Sequence, residues 1–459
     1  MKEITTVNPA DGQAIAAYPL TTERELDAAL DAAVAAVRDR RGEPADERAA
    51  RLRAMAARLR LGAGEFASLI TAEMGKPLDQ AAAEIEKSAA ACEYYADRLE
   101  ELLAPRPADV APDTGFVRLL PLGVVLAVMP WNYPFWQVFR AMIPAVAIGD
   151  AVVLKHADNV TGSARAVQGL FDAVFGPGVL TAAVLPPHRV GPLIDDPRIA
   201  AVAFTGSNRV GAIVGARAGA AAKKTVLELG GSDAFVVLAD ADVDAAARAA
   251  VRSRFLNTGQ SCIAAKRLIV ERPARDAFLA GLVRELGRLV VGDPTAPGTD
   301  LGPMARTDLR DELRRQLAET LAGGARLLAG GTADERPGAW FTPTLVEVAD
   351  TANTAFRQET FGPLGAVLAV ADGPAAVEAA NASRYGLGCS LWSRDPDRAE
   401  ALAARVEAGS VAVNRISESD PRLPVGGVKA SGHGRELGAY GAVEFANVQS
   451  VRTAARTPA

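Results

Sequence analysis

Hydrophobic and polar positions fall into two rhythms along the chain. Over residues 22 to 62 and 78 to 103 apolar residues recur at helical spacing among Ala, Leu, Arg and Glu, as in "IEKSAAACEYYADRLEELL". That period predicts amphipathic helices forming an N-terminal layer. Downstream the pattern changes to short apolar runs: "GVVLAVMP" (123 to 130), "AVVLKH" (151 to 156), "AAVLP" (182 to 186) and "AVAFTGS" (201 to 207), each followed by a stretch able to form a helix. Runs of this kind fit strands buried on both faces, so their alternation with helices predicts an α/β fold with a parallel, doubly wound sheet. A second series begins at "DAFVVLAD" (233 to 240) and continues through "RLIVE", "TPTLVEV", "GAVLAV" and "GSVAVN". Two successive α/β units follow, with the boundary expected in "LELGGSD" (227 to 233), where paired glycines punctuate the pattern.

Composition narrows the function classes. A chain of 459 residues is long enough for roughly three domains and several apolar cores. A formal net charge of −5 leaves no basic excess for nucleic acid or an acidic membrane surface, which points to a small neutral or anionic partner. The three cysteines, Cys92, Cys262 and Cys389, are too few and too dispersed for a disulfide framework and fit a reducing compartment. The N-terminus has no apolar signal region, and no run is long enough to span a bilayer, so a cytoplasmic protein is expected.

Candidate chemistry begins at "NTGQSC" (257 to 262), where turn-forming residues lead into Cys262. An isolated cysteine is more often an inert buried residue. Here Gly259 and Gln260 place flexible, polar backbone before the thiol, and "IAAKRLIV" after it reads as a turn into a strand. His156, His188 and His433 have no recognisable catalytic setting, so a histidine-activated thiol is not indicated. "MPWNYP" places the amide of Asn132 after an apolar strand, where it could donate to an oxyanion or merely cap a turn. "VLELGG" ends a strand with Glu228 among apolar neighbours, suited to a general base or to a solvated strand end. "FRQETFGP" sets Glu359 and Phe361 in a turn.

Taken in order, "PWNYP", "LKHAD", "FTGSNRVG", "LELGG", "NTGQSC", "GDPTAPGTDLGPM", "QETFGP" and "PVGGVKASGHGRE" resemble the aldehyde dehydrogenase superfamily over essentially the whole chain. "WNYPFWQVFR", "LKHADNVTG", "NTGQSCIAAKR" and "SDPRLPVGGVKASGHGREL" look most like the short bacterial succinate-semialdehyde dehydrogenases. The resemblance implies NAD(P)-dependent oxidation of an aldehyde to a carboxylic acid through a cysteine thioester. Cys262 is then the nucleophile, Asn132 the oxyanion donor and Glu228 the base for hydrolysis. Trp131, Lys155, Asp158, Gly206, Ser207, Gly211, Glu359 and Phe361 match cofactor-binding positions. Asp158 stands where the family commonly has Glu; a carboxylate there repels a 2′-phosphate, so NAD is favoured and NADP tolerated.

The implied substrate is succinate semialdehyde, with Trp136, Arg140 and Ser419 at matching positions; another small aliphatic aldehyde or semialdehyde, or an inactive binding relative, is the alternative. Trp136 and Arg140 lie four residues apart, on one face if a helix starts near Pro134, although Arg140 could equally serve a solvated or structural ion pair. Two family features are missing: Ala264 replaces a second, redox-switching cysteine, and Leu256 replaces a carboxylate-binding arginine. The implied parts are a cofactor domain (1–112 and 131–229, rejoined by 427–439), a catalytic domain (230–426) and an oligomerisation arm (113–130 and 440–459). The arm pairs a hairpin near 113 to 130 with a strand around 444 to 452 and predicts a homodimer or homotetramer. No metal is implied.

Overall fold

A computed structural model describes residues 2–455. The helical layer comprises Glu23–Asp39, Ala45–Leu61, Ala63–Met74 and Leu78–Leu103. The first starts at a reciprocal cap between Thr22 and Glu25, and the third ends at Gly75 with φ 77°, a left-handed turn that glycine adopts without strain. Leu78–Leu103 buries Ala81, Ile85, Ala89, Cys92, Ala96 and Leu99, a helical stripe that packs on Ala45–Leu61 and Trp136–Ile148. Glu84 on this helix accepts from the backbone N–H groups of Phe135 (2.8 Å) and Trp136 (3.0 Å), satisfying donors at the start of Trp136–Ile148. The helical layer thereby fixes a helix that lines the site.

Among the described residues two large sheets follow. In the first, Lys224–Glu228, Ile199–Thr205, Val124–Met129, Ala151–His156 and Leu180–Ala182 run parallel in that order, and Gly432–His433 adds antiparallel beside Lys224–Glu228. In the second, Thr344–Val348, Leu364–Val370, Ala265–Glu271, Asp233–Val237, Gly388–Trp392 and Ser410–Val413 are parallel, with Arg326–Ala329 antiparallel at one edge. The last parallel strand of the first sheet ends at Glu228 and the second sheet begins at Asp233, inside the stretch where the glycine pair predicts a boundary. The α/β architecture expected from the apolar runs is present, with helices covering both sheets.

Two local expectations need correction. The hairpin expected near 113 to 130 is formed instead by Arg106–Val110 and Asp113–Pro121, which pair antiparallel and are joined on the other side by Ala446–Thr453. Val124–Met129 belongs to the middle of the first sheet. Its reason is burial: Val124, Val125, Leu126 and Ala127 are at most 1% exposed, which requires cover on both faces, whereas the arm strands are mostly exposed or half-buried. The strand expected at 182 to 186 lies at Leu180–Ala182, ahead of Pro186 and Pro187. The paired strands Glu3–Val7 and Ala14–Pro19 are an addition to the expected elements. Residues 456–459 of the expected arm lie outside the described residues. Among the described residues no helix is long and apolar enough to cross a membrane.

Candidate active site

The cysteine loop is built on unusual backbone. Asn257 (φ 57°), Thr258 (φ 54°) and Gly259 (φ 69°) are successively left-handed, a conformation unfavourable for a β-branched threonine unless its surroundings hold it. They do so from several sides. Asn257 Nδ2 donates to Asn132 O (2.9 Å) and Gln260 O (3.1 Å), its backbone N–H donates to Gln80 Oε1 (2.8 Å), and Gln260 Oε1 accepts from Ala305 N (2.9 Å). Beneath the loop the buried Arg254 donates to Leu364 O and Thr360 O, each at 2.9 Å. Gly259 is required, since a Cβ there would meet Gly362 O at 2.6 Å. Together these contacts turn the chain sharply and leave Cys262 partly exposed in a cavity.

Asn132 is held beside that loop. Its Nδ2 donates to Gln260 O at 3.0 Å and its Oδ1 accepts from Gln137 Nε2 at 3.4 Å. An amide nitrogen has two protons, so one remains for a developing oxyanion. Low-dielectric surroundings push the Cys262 thiol up to about 11, opposed by the positive charges of Arg140 and Lys266. Glu228 is 1% exposed and its Oε1 has no partner. Burial, reinforced by the neighbouring Glu436, pushes its carboxyl up to about 8 against the pull of Arg140. Arg140 is ion-paired with Glu436 and lies 3.8 Å from Glu228 Oε2.

The cavity containing Cys262 measures about 520 Å³ and is also lined by Tyr133, Trp136, Arg140, Lys87 and Ser419. Trp136, Arg140 and Ser419 are thus brought together. Trp136 Nε1 donates to Ser419 Oγ at 3.1 Å, and so does Lys87 Nζ at 2.8 Å.

A second cleft, about 1210 Å³, opens along the C-terminal ends of the first sheet's strands. Trp131, Lys155, Asp158, Gly206 and Ser207 line it, and Lys155 Nζ lies 2.6 Å from Asp158 Oδ1. Ser207 caps the helix Asn208–Ala220, whose first N–H groups form an anion-binding terminus. Gly211 stands behind this wall against Leu229. Glu359 and Phe361 are also off it: Phe361 meets the Trp131 ring edge-on at 5.7 Å, and Glu359 accepts from Gly231 N at 2.9 Å.

Comparison with known proteins matches residues 1–451 to the aldehyde dehydrogenase family. The chain belongs to that family. It is 45% identical over 447 residues to a succinate semialdehyde dehydrogenase, NAD(P)+, of Escherichia coli, covering 97% of each chain. To a succinate-semialdehyde dehydrogenase, NADP(+), of Mycobacterium tuberculosis it is 42% identical over 452 residues, with 98% of this chain and 99% of the relative covered. The crystal structure of the Streptococcus pyogenes succinic semialdehyde dehydrogenase in complex with NADP+ superposes with a TM-score of 0.95 at 34% identity, covering 98% of this chain and 99% of that one.

The dinucleotide such a family member uses fits the second cleft. Thr205 Oγ1, on its wall, is buried without a partner, and a Cβ on Gly206 would reach the Phe204 ring at 2.7 Å, so the backbone there is kept bare. Lys155 and Asp158 would meet a ribose, and the Asn208–Ala220 terminus a phosphate. Sequence reasoning missed Lys87, Glu84, Asn257 and Glu436. Asn257 lay inside the quoted motif and its donor capacity was a usable signal. Glu436 ends the quoted "PVGGVKASGHGRE", which was its signal, whereas Glu84 reads as an ordinary helix-surface charge.

Proposed function

We propose that this aldehyde dehydrogenase oxidises succinate semialdehyde to succinate, with NAD or NADP as hydride acceptor. The observation that carries the reading is the cavity at Cys262, which sets a thiol and a cationic, hydroxyl-bearing wall of Lys87, Arg140 and Ser419 in one space. An aldehyde with an anionic far end complements both. The names of the Escherichia coli and Mycobacterium relatives support the same substrate.

In this scheme the Cys262 thiol passes its proton to ionised Glu228, which releases it to solvent, and the sulfur attacks the aldehyde carbon to give a thiohemiacetal. Its oxyanion would accept hydrogen bonds from the free Asn132 amide N–H and the Cys262 backbone N–H. A dinucleotide held in the second cleft would supply the hydride acceptor that takes this carbon to the acid oxidation level, with Cys262 holding the acyl group as a thioester. Glu228 then removes a proton from water as the water attacks the thioester, and the acid leaves with the thiol restored. Glu359 and Phe361, behind Trp131, would steady the nicotinamide end, and Asp158 favours NAD by repelling a 2′-phosphate. The exposed arm, with Ala446–Thr453 at one edge, would pair with another copy in a homodimer or a dimer of dimers. Dependence on a free thiol fits a reducing cytoplasm.

A panel of aldehydes assayed with each dinucleotide, following reduced nicotinamide, tests the reading. Succinate semialdehyde is expected to give the highest kcat/KM; an uncharged aldehyde of the same length used equally well would refute the substrate assignment.

A further inference from the structure

Two cations flank Trp136 in the substrate cavity, and they differ in what already neutralises them. Arg140 is 3% exposed, ion-paired with Glu436 and close to Glu228, so two carboxylates share its charge. Lys87 has no such partner. It reaches in from Leu78–Leu103, donates to Ser419 Oγ and lies 4.7 Å from the Trp136 ring centroid; among the described residues no carboxylate is within ion-pair distance of it. The charged groups around it are otherwise committed or exposed. Glu84, on its own helix, is held by Lys76 and caps Trp136–Ile148. Asp420, on the loop carrying Ser419, is 2.6 Å from Arg422, and Glu418 on that loop is exposed.

The hydroxyl of Ser419 accepts from both Lys87 and Trp136 Nε1, which turns its own proton outward as a donor. An ammonium with spare N–H groups, a hydroxyl donor and an indole wall therefore converge, a set that fits one carboxylate. We propose that Lys87, with Ser419 as second donor, is the specificity-determining residue that binds the distal carboxylate of the substrate. This rests on the semialdehyde reading above and assigns the selective charge to a residue outside the sequence motifs. Arg140, whose charge Glu436 and Glu228 already share, adds to the cationic wall but selects less.

Burial and the nearby Arg140 lower the Lys87 ammonium, to about 8, while Glu418, Glu84 and Asp420 oppose the shift. Its charge is thus present below about pH 8 and lost above it, while the substrate carboxylate stays ionised throughout. Selectivity should follow that titration.

The test measures kcat/KM for succinate semialdehyde and for butanal across this range in the wild type, Lys87→Met and Lys87→Arg. The ratio of the two constants cancels the titrations of Cys262 and Glu228. In the wild type the ratio should fall above about pH 8; in Lys87→Met it should be lower by about 10- to 150-fold at neutral pH and no longer depend on pH. Lys87→Arg should restore most of the ratio and hold it to higher pH. Retention of the wild-type ratio in Lys87→Met, or equal losses on both substrates, would overturn the proposal alone. A wild type indifferent between the two aldehydes would overturn the substrate reading and the proposal with it.

Discussion

Arg140 Nη2 lies 3.8 Å from Glu228 Oε2, and the same guanidinium is ion-paired with Glu436. One buried cation thus stabilises the ionised form of the proposed base while a second carboxylate opposes it, and burial dominates both, leaving Glu228 at about 8.

The pH dependence follows from that balance. Glu228 is protonated and ineffective below about pH 8 and becomes a base above it, so hydrolysis-limited turnover should rise about tenfold per unit on the acid side and level off beyond. Glu228→Gln should give a burst of reduced cofactor and then stall. Arg140→Met should move the rising limb to higher pH, because the larger of the two favourable charges, Arg140 and Arg435, is removed; a pH profile of kcat decides this.

For Cys262, with its thiol near 11, alkylation by iodoacetamide should be slow at neutral pH and accelerate about tenfold per pH unit toward that value. Cys262→Ala should abolish aldehyde oxidation and leave dinucleotide affinity within about threefold, since the thiol's role is covalent rather than cofactor-binding. Stopped-flow alkylation and fluorescence titration measure the two.

Asp158 is paired with Lys155 at 2.6 Å and its side chain is 44% exposed. Asp158→Ser removes a negative charge from the wall proposed to meet the ribose and frees the ammonium, so kcat/KM with NADP should rise by about tenfold relative to NAD. Steady-state assays with each dinucleotide check the ratio.

Gly211 is tight against Leu229: a Cβ would lie 2.3 Å from Leu229 Cδ2. Gly211→Ala should therefore cost about 1–3 kcal/mol by forcing the side chain from a filled site. The displaced Leu229 adjoins Glu228, so a lower thermal unfolding midpoint should be accompanied by reduced turnover.

By itself the sequence determined the elements and the chemistry carried by local motifs. Apolar runs such as "AVVLKH" and "DAFVVLAD" specify buried strands because period and burial are local properties, and the paired glycines after Leu229 mark where one sheet gives way to the next. The motif around Cys262 likewise announces a turn, and its left-handed Asn257 and Thr258 are the physical form of that turn. Tertiary structure decided what depends on distant partners. Val124–Met129 follows the arm hairpin in sequence yet joins the other sheet, because full burial is satisfied only between Ile199–Thr205 and Ala151–His156. Glu84 and Lys87 read as two charges on a helix; only packing shows that one caps the Trp136 helix and the other reaches Ser419. In the sequence Arg140 could serve a substrate or an ion pair, and only folding shows that Glu436 lies against it. A charge's role depends on its counter-charge, and here chain order does not reveal which distant residue supplies it.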